Sequence, residues 1–294
     1  MGYPATGPGP AVSAPVADIA APGADTAVAT RGVWAGYDGR PALEDVTLDI
    51  PRGALVAIFG PNGGGKTTLL KLIADLIQPW RGEVSVLGEP AGAQAKRVAY
   101  VPQAELVDWS FPVSVWDVAM MGRYPALGLL RRPAAPDREA VESALEQVGM
   151  IAQRGSQIGA LSGGQRRRAF LARAIAADPE LYLLDEPVTG VDVTTQEDLM
   201  ALLTSETARG RTVIATTHDL AAAAEHFGTV VALNRRVIAV GRSELVLDPD
   251  VLSRTYGGHM LVLQDRAVIL DDAHHHDTES GGERHFHEEG SQRR

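Results

Sequence analysis

A glycine-rich segment near residue 60 constrains the fold of this chain more than any other feature of its sequence. It has the pattern G-x-x-x-x-G-K-[ST] and lies between an apolar run, Ala54 to Phe59, and a helical pattern that begins at Leu69. Its residues are Gly60, Pro61, Asn62, Gly63, Gly64, Gly65, Lys66, Thr67 and Thr68. Glycine permits positive φ and close backbone approach, so successive N–H groups can surround an anion at a helix N-terminus. The segment therefore predicts a strand, a phosphate-binding loop and a helix in direct succession.

Two side chains of this loop suit a bound polyphosphate and its metal ion. Lys66 is placed to reach the β and γ phosphates, and the hydroxyl of Thr67 is placed to bind Mg²⁺. A second apolar run, Leu181 to Leu184, ends in Asp185 and Glu186. We expect Asp185 to hold Mg²⁺ through its water shell and Glu186 to polarise an attacking water. A strand that ends in two acidic residues is often structural, but together with the loop it indicates a phosphate-transfer site.

Alternating strand and helix patterns predict an α/β fold with a mainly parallel sheet. The predicted buried strands are short apolar runs rich in β-branched residues: Ala54–Phe59, Arg97–Val101, Leu181–Asp185, Thr212–Thr216 and Thr229–Leu233. Helical spacing connects Leu69, Leu72, Ile73 and Leu76, and it also connects Val141, Ala144, Leu145 and Val148. Residues from about 104 to 165 have helical spacing and no strong strand, which predicts an inserted helical subdomain.

The composition of the chain and of its two ends limits the classes of function and the expected extent of the globular domain. The chain has 27 Lys and Arg against 37 Asp and Glu, and this net charge of -10 argues against nonspecific binding of nucleic acid. No stretch approaches the roughly 18 apolar residues that a membrane-spanning helix requires. Because cysteine is absent, a metal would have to be bound by His, Asp or Glu. We predict a disordered leader over 1–24, a globular domain over 25–265 and a flexible acidic tail over 266–294.

A third motif, Leu161-Ser162-Gly163-Gly164-Gln165, opens a predicted helix ahead of Asp185. With the two phosphate-site elements, this motif resembles the signature of the ATP-binding cassette (ABC) family, and the resemblance covers about residues 27–260. It implies a P-loop fold with a mainly parallel sheet, an antiparallel β part and an inserted helical subdomain, with ATP and Mg²⁺ as cofactors. It also implies a head-to-tail dimer in which Ser162, Gly163, Gly164 and Gln165 contact the ATP held by the other subunit.

Four single positions match the family pattern with less specificity. Tyr37 resembles the aromatic residue that stacks on adenine, and Gln103 resembles the lid glutamine that contacts the magnesium ion. Asp192 lies in the loop that contacts the second subunit, and His218 resembles the switch histidine. Each has an ordinary alternative, since Tyr37 also suits a surface or core position, Gln103 a plain loop and His218 a solvated site.

The resemblance implies a transporter ATPase subunit at the cytoplasmic face of the cell membrane. Its implied partners are a membrane-spanning permease subunit, a second copy of itself in an ATP-sandwich dimer and, indirectly, an extracytoplasmic metal-binding protein, with no nucleic acid. The segment from Val107 to Tyr124 resembles the post-lid segment of manganese and zinc importer ATPases, although its aromatic residues also suit the packing of a helical subdomain. The alternatives are an importer ATPase for a metal chelate such as a siderophore, or a soluble ABC ATPase outside transport.

Five of the eight histidines lie in the acidic tail: His274, His275, His276, His285 and His287. Neutral imidazoles with neighbouring carboxylates are suitable zinc ligands, which suggests a weak zinc site. A solvated tail with no metal role is an equally simple interpretation, because a flexible cluster lacks the fixed geometry of a specific site.

Overall fold

The computed structural model describes residues 25–103, 111–128, 131–188, 193–257, 260–263 and 266–269. The strands in these ranges are β1 (Thr26–Tyr37), β2 (Arg40–Pro51), β3 (Leu55–Phe59), β4 (Arg81–Val86), β5 (Glu89–Pro90), β6 (Val98–Val101), β7 (Leu181–Leu184), β8 (Thr212–Thr216), β9 (Thr229–Asn234), β10 (Arg236–Gly241), β11 (Met260–Leu263) and β12 (Arg266–Ile269). The helices are α1 (Lys66–Ile73), α2 (Val115–Met121), α3 (Tyr124–Leu127), α4 (Ala135–Gln147), α5 (Gly163–Ala176), α6 (Val193–Ala208), α7 (Leu220–His226), α8 (Ser243–Val246) and α9 (Pro249–Tyr256). None of these described helices combines the length and the apolar character needed to cross a membrane.

A six-stranded sheet forms the centre of the described fold, in the order β10-β9-β3-β8-β7-β6. Its strands are parallel except β10, which pairs with β9 in the antiparallel direction. The five strands predicted from the sequence are present, and their ends differ from the prediction by at most one residue. Because β3, β6, β7 and β8 are parallel, their carboxyl ends meet at one edge of the sheet, where the predicted site residues follow.

A second sheet is antiparallel, in the order β2-β1-β4-β5, and packs with α1 against one face of the central sheet. Successive side chains of a strand point to opposite faces, so each central strand contributes to two cores. Leu181 and Leu183 pack towards α1 and the antiparallel sheet, whereas Tyr182 and Leu184 pack on the opposite face with α2, α4 and α5. Since both faces are covered, the central strands have the continuous apolar sequences from which they were predicted.

The described residues between β6 and β7 form helices and turns, as expected from their helical spacing. Val141, Ala144 and Leu145 are fully buried on α4. Gly122 ends α2 directly against α5, since a Cβ at this position would lie 2.1 Å from the carbonyl oxygen of Arg173. The helices of this region therefore pack closely on the helix that begins at the Ser162 motif.

The prediction for α1 is wrong at its last apolar position. Leu76 continues the helical spacing, but α1 ends at Ile73 and Leu76 is 58% exposed. Asp75 has a φ of 58°, and the N–H groups of Asp75 and Leu76 donate to the carbonyl oxygens of Leu72 and Lys71. This is a Schellman ending, which turns the chain away from the helix axis. Apolar spacing carries no information about this capping geometry.

Candidate nucleotide-binding site

The glycine-rich loop between β3 and α1 has a backbone shape that requires glycine at two positions. Gly60 has a φ of 154°, and a Cβ at this residue would lie 1.8 Å from the carbonyl oxygen of Leu233 on β9. Gly65 has a φ of 92°, and a Cβ there would lie 2.5 Å from the carbonyl oxygen of Ala42 on β2. The loop is therefore held tightly between the central and the antiparallel sheets.

The first turn of α1 is arranged to receive an anion. Its N-cap residue is Gly65, which has no side chain that could cap the N–H groups of the turn. The turn also contains no acidic residue. The dipole of α1 adds positive potential at the same point. These features leave backbone N–H groups of the turn for phosphate oxygens, as the sequence pattern predicts.

Lys66 places its ammonium group inside the loop. Its Nζ donates to the carbonyl oxygens of Gly60, at 2.8 Å, and Pro61, at 3.0 Å. Burial lowers the pKa of Lys66, while the negative charges of Glu186 and Asp185 act in the opposite direction. A cation is thus held between the phosphate loop and two carboxylates.

The two carboxylate residues after β7 are linked by one threonine of the neighbouring strand. Oγ1 of Thr216, the last residue of β8, donates to Oδ1 of Asp185 at 2.7 Å and accepts from the N–H of Glu186 at 2.9 Å. Thr216 is fully buried, so water does not compete for these bonds. The sequence pattern places Thr216 in a strand and indicates no role for it in the site. Its position at a strand end two residues before His218 is the signal that could have revealed it.

The second oxygen of Asp185 is suited to a metal ion or its water shell. Oδ2 is buried and has no hydrogen-bond partner among the described residues. Leaving such an oxygen unsatisfied is costly, which favours a cation beside it. Thr67 is half-buried at the start of α1 and adds a hydroxyl oxygen. Carboxylate and hydroxyl oxygens are the ligands that Mg²⁺ prefers, so these donors fit that ion.

Three predicted catalytic residues from different segments converge on one oxygen atom. Gln103 follows β6, Glu186 follows β7 and His218 lies two residues after β8. Nε2 of Gln103 donates to Oε2 of Glu186 at 3.4 Å, and Nδ1 of His218 lies 3.9 Å from the same oxygen. The side chain of Glu186 is 16% exposed, whereas that of His218 is 58% exposed. This carboxylate is therefore contacted by groups from both neighbouring strands and is still reached by water.

The Ser162 motif forms the N-terminus of α5. Oγ of Ser162 accepts from the N–H of Gln165 at 3.3 Å, and the N–H of Ser162 donates to Oε1 of Gln165 at 3.0 Å, which is a capping box. Ser162 and Gly163 are exposed, and in the described part of the chain no hydrogen bond joins them to the glycine-rich loop. A cavity of about 510 Å³ opens between α5, α6 and the end of β7, with Gly164 on one wall and Glu186 on another.

The structure places Tyr37 at the end of β1, beside α1. Tyr37 is 46% exposed, and Nζ of Lys71 lies 5.9 Å from the centroid of its ring. Asp192 and the five histidines of the tail lie outside the described residues. Within the ranges that the structure describes, no group of three or more His, Asp or Glu is placed to hold a metal ion.

Together, the glycine-rich loop, its buried lysine and the paired carboxylates define a P-loop nucleoside-triphosphate-binding protein. Comparison with known proteins narrows this class. The family model described as ABC transporter matches residues 43–189, which contain the loop, the Ser162 motif and both carboxylates. The chain belongs to this family, and the fold class and resemblance expected from the sequence are confirmed.

Three similar proteins are ATP-binding or membrane components of transport systems. The manganese transport system ATP-binding protein MntB of Bacillus subtilis (strain 168) is 42% identical over 80% of this chain and 94% of its own length. The zinc transport system ATP-binding protein TroB of Treponema pallidum (strain Nichols) is 46% identical over 76% of this chain and 84% of its own length. The chelated iron transport system membrane protein YfeB of Yersinia pestis is 43% identical over 80% of both chains.

A solved structure agrees with this membership at the level of the fold. A chain from an ABC transporter in an inward-facing conformation superposes with a TM-score of 0.71 at 25% sequence identity. The match covers 84% of this chain and 98% of the other. The central sheet, the antiparallel sheet and the helical region are thus arranged as in an ABC ATPase.

Proposed function

We propose that this chain is the ATP-hydrolysing subunit of an importer that moves a divalent metal ion, zinc or manganese, through a separate permease subunit. The observation that carries the ATPase part is the convergence of Gln103 and His218 on Oε2 of Glu186, close to the charge of Lys66. The transport part is supported by the manganese and zinc transport relatives, which are 42% and 46% identical over most of this chain.

Hydrolysis follows from the roles that these side chains take around ATP. Lys66 and the N–H groups of the first turn of α1 bind the β and γ phosphates, which reduces the repulsion that an attacking oxygen meets. Glu186 accepts a proton from a water molecule as the oxygen of that water forms a bond to the γ phosphorus. The bond from the γ phosphorus to the bridging oxygen breaks, and ADP and inorganic phosphate leave. Gln103 and His218 orient the Glu186 carboxylate during this step.

Thr67 and Asp185 are the residues that would hold Mg²⁺, with Gln103 as a further contact. When bound, this ion supplies positive charge to the β- and γ-phosphate oxygens. Thr216 occupies Oδ1 of Asp185, which leaves Oδ2 to face the ion or its water shell.

The Ser162 motif supports a second copy of this chain as a partner. Its exposed helix N-terminus is a second anion site in a chain that already contains one phosphate loop. We infer an ATP-sandwich dimer in which Ser162, Gly163, Gly164 and Gln165 of one subunit close on the ATP held by Lys66 and Tyr37 of the other. Asp192 would lie at the contact between the subunits. ATP binding then favours the closed dimer, and hydrolysis releases it.

Exposed apolar side chains in the helical region support docking to a permease at the cytoplasmic face of the membrane. Phe111 is 62% exposed, Tyr124 is 50% exposed and Met121 is 36% exposed. All three fall in the segment whose sequence resembles the post-lid segment of metal importer ATPases. An extracytoplasmic metal-binding protein would deliver the ion to the permease and would not touch this chain.

A metal chelate is a second candidate cargo. The relative from the chelated iron transport system is 43% identical, which is close to the identity of the manganese and zinc relatives. The ATP site is suited equally to either cargo, because the cargo passes through other subunits.

The test measures zinc, manganese and iron in host cells that lack the native protein. The cells carry the wild type, Lys66→Ala or Lys96→Ala and grow with little zinc or little manganese. Lys66→Ala removes the buried ammonium group from the loop, whereas Lys96 is exposed and outside the site. We expect Lys66→Ala alone to lower cellular zinc or manganese, and the affected ion identifies the cargo. A fall in iron alone would favour the chelate, and a higher metal content or no change would contradict metal import.

A further inference from the structure

Tyr100 and Asp185 lie on the same face of neighbouring strands. In the parallel pairing of β6 with β7, Tyr100 is opposite Leu183, and the N–H of Asp185 donates to the carbonyl oxygen of Val101 at 2.9 Å. Tyr100 is partly buried and packs against the core that contains Leu183 and residues of α1. Since side chains alternate along a strand, Asp185 shares the face of Leu183. The phenol and the carboxylate are therefore neighbours on the side of the sheet that carries the glycine-rich loop.

Each of these two side chains has a buried oxygen with no hydrogen-bond partner among the described residues. The atoms are Oη of Tyr100 and Oδ2 of Asp185. The bond from the N–H of Asp185 to Val101 holds the two strands together beside these side chains, although the pair does not meet hydrogen-bond geometry. A phenol donor and a carboxylate acceptor thus lie close together with both requirements unmet.

The backbone of Tyr100 is held from the other side by the helix of the Ser162 motif. A guanidinium nitrogen of Arg173, on α5, donates to the carbonyl oxygen of Tyr100 at 3.2 Å. Burial lowers the pKa of Arg173, and the carbonyl oxygen compensates part of the lost hydration of this cation. The backbone of β6 is thereby held in place beside Asp185, so any movement that joins the phenol and the carboxylate has to come from their side chains.

We propose that Tyr100 is a positioning residue for Asp185, whose Oδ2 accepts a hydrogen bond from the phenol when the site takes up ATP with magnesium. Thr216 then orients one carboxylate oxygen and Tyr100 orients the other, so the carboxylate is fixed towards the ion. Each oxygen keeps a further lone pair for the water shell of the ion. This inference rests on the magnesium-dependent ATP hydrolysis proposed above.

The test is Tyr100→Phe, which removes the hydroxyl and keeps the ring. Binding of a fluorescent ATP analogue to the full chain is measured in EDTA and over a magnesium titration. We expect the affinity in EDTA to stay within about twofold, while the half-saturating magnesium concentration rises about tenfold, because a hydrogen bond to a charged acceptor is lost. The melting temperature without nucleotide should not fall, because the removed hydroxyl has no partner there.

The matched control is Tyr256→Phe. Tyr256 also has a buried hydroxyl without a described partner, and it stacks on Phe59 with ring centroids 6.4 Å apart. We expect this variant to keep the magnesium dependence of the wild type. The inference would be overturned if Tyr100→Phe left the magnesium titration unchanged, or if both variants shifted the half-saturating magnesium concentration equally. It would also be overturned if Tyr100→Phe weakened nucleotide binding equally in EDTA. None of these results would affect the proposed function. If the wild type showed no magnesium-dependent nucleotide binding, the proposed function would be overturned, and the inference with it.

Discussion

Thr216 shows how one buried hydroxyl organises the two carboxylates on which the proposed hydrolysis depends. It donates to Asp185 and accepts from the N–H of Glu186, so the residue proposed to face the metal and the residue proposed to face the water share one hydrogen-bond partner. Glu186 has a φ of 50°, a backbone conformation that residues other than glycine seldom adopt. The hydrogen bond to Thr216 stabilises this conformation and thereby directs the Glu186 carboxylate towards Gln103 and His218.

We predict that Thr216→Val lowers the rate of ATP hydrolysis about tenfold or more while nucleotide affinity changes little. Valine keeps the shape of threonine but leaves a buried carboxylate oxygen and a buried N–H without their partner, at a cost of about 1–3 kcal/mol in unfolding free energy. Steady-state hydrolysis, nucleotide binding and urea unfolding measure the three quantities. Thr216→Ser retains the hydroxyl and should recover most of the activity. Equal losses in both variants would show that the methyl group, and not the hydrogen bonds, matters.

At the scale of elements, the close contact between α2 and α5 joins the exposed apolar segment to the Ser162 motif. Gly122 allows the two backbones to meet, and Arg123 donates to the carbonyl oxygen of Ala176, at 2.9 Å, near the end of α5. Arg123 also pairs with Asp137 on α4 at 3.0 Å. These contacts make the helices one packed unit, so a displacement at the proposed permease surface would be transmitted to α5, the helix proposed to contact ATP in the dimer.

We predict that Gly122→Ala lowers the unfolding free energy by about 2–3 kcal/mol, because an added Cβ forces α2 away from α5. The Cβ would lie 2.1 Å from the carbonyl oxygen of Arg173, a backbone atom that cannot move alone. Urea unfolding measures the change. Gly155→Ala is the control, since its Cβ would meet no atom within 4 Å. Similar stability of the two variants would show that the helices separate without cost.

At the scale of the whole molecule, the two proposed anion sites of one chain lie on different elements, at the starts of α1 and α5. The Lys66 loop lies beside the carboxylates of its own chain, whereas Ser162 and Gly163 at the start of α5 are exposed. A second copy that supplies the missing half to each site explains why both are present. This is the reason for proposing that a pair of chains hydrolyses ATP.

We predict that Glu186→Gln binds ATP, hydrolyses it roughly 10²–10⁴ times more slowly and accumulates as an ATP-bound dimer, because the attacking water loses its proton acceptor. Light scattering with ATP should show a doubled mass. Adding Ser162→Arg to this variant should abolish the dimer without weakening nucleotide binding to the monomer. Ser253→Arg, at an exposed position of α9, is the control and should leave the dimer intact. Dimers that persist with Ser162→Arg would contradict the sandwich.

Local signals in the sequence were sufficient for much of this fold and for part of the site. The glycine-rich loop, the central strands and the carboxylates after β7 are each encoded within a few consecutive residues, and the structure places them as expected. The end of α1 was missed because Leu76 follows the apolar spacing while Asp75 takes a left-handed conformation. The roles of Asp192 and of the tail histidines remain predictions.

By itself, the sequence determined which segments become strands, which loop receives phosphate and which family the chain joins, because these depend on contiguous patterns of glycine, apolar and charged residues. Only the tertiary structure decided that Thr216 bridges Asp185 and Glu186, and that Tyr100 faces Asp185. These residues are distant in the chain, and they meet because β6, β7 and β8 are adjacent in the sheet although other elements separate them in sequence. Strand order depends on packing over the whole domain, which no local pattern encodes.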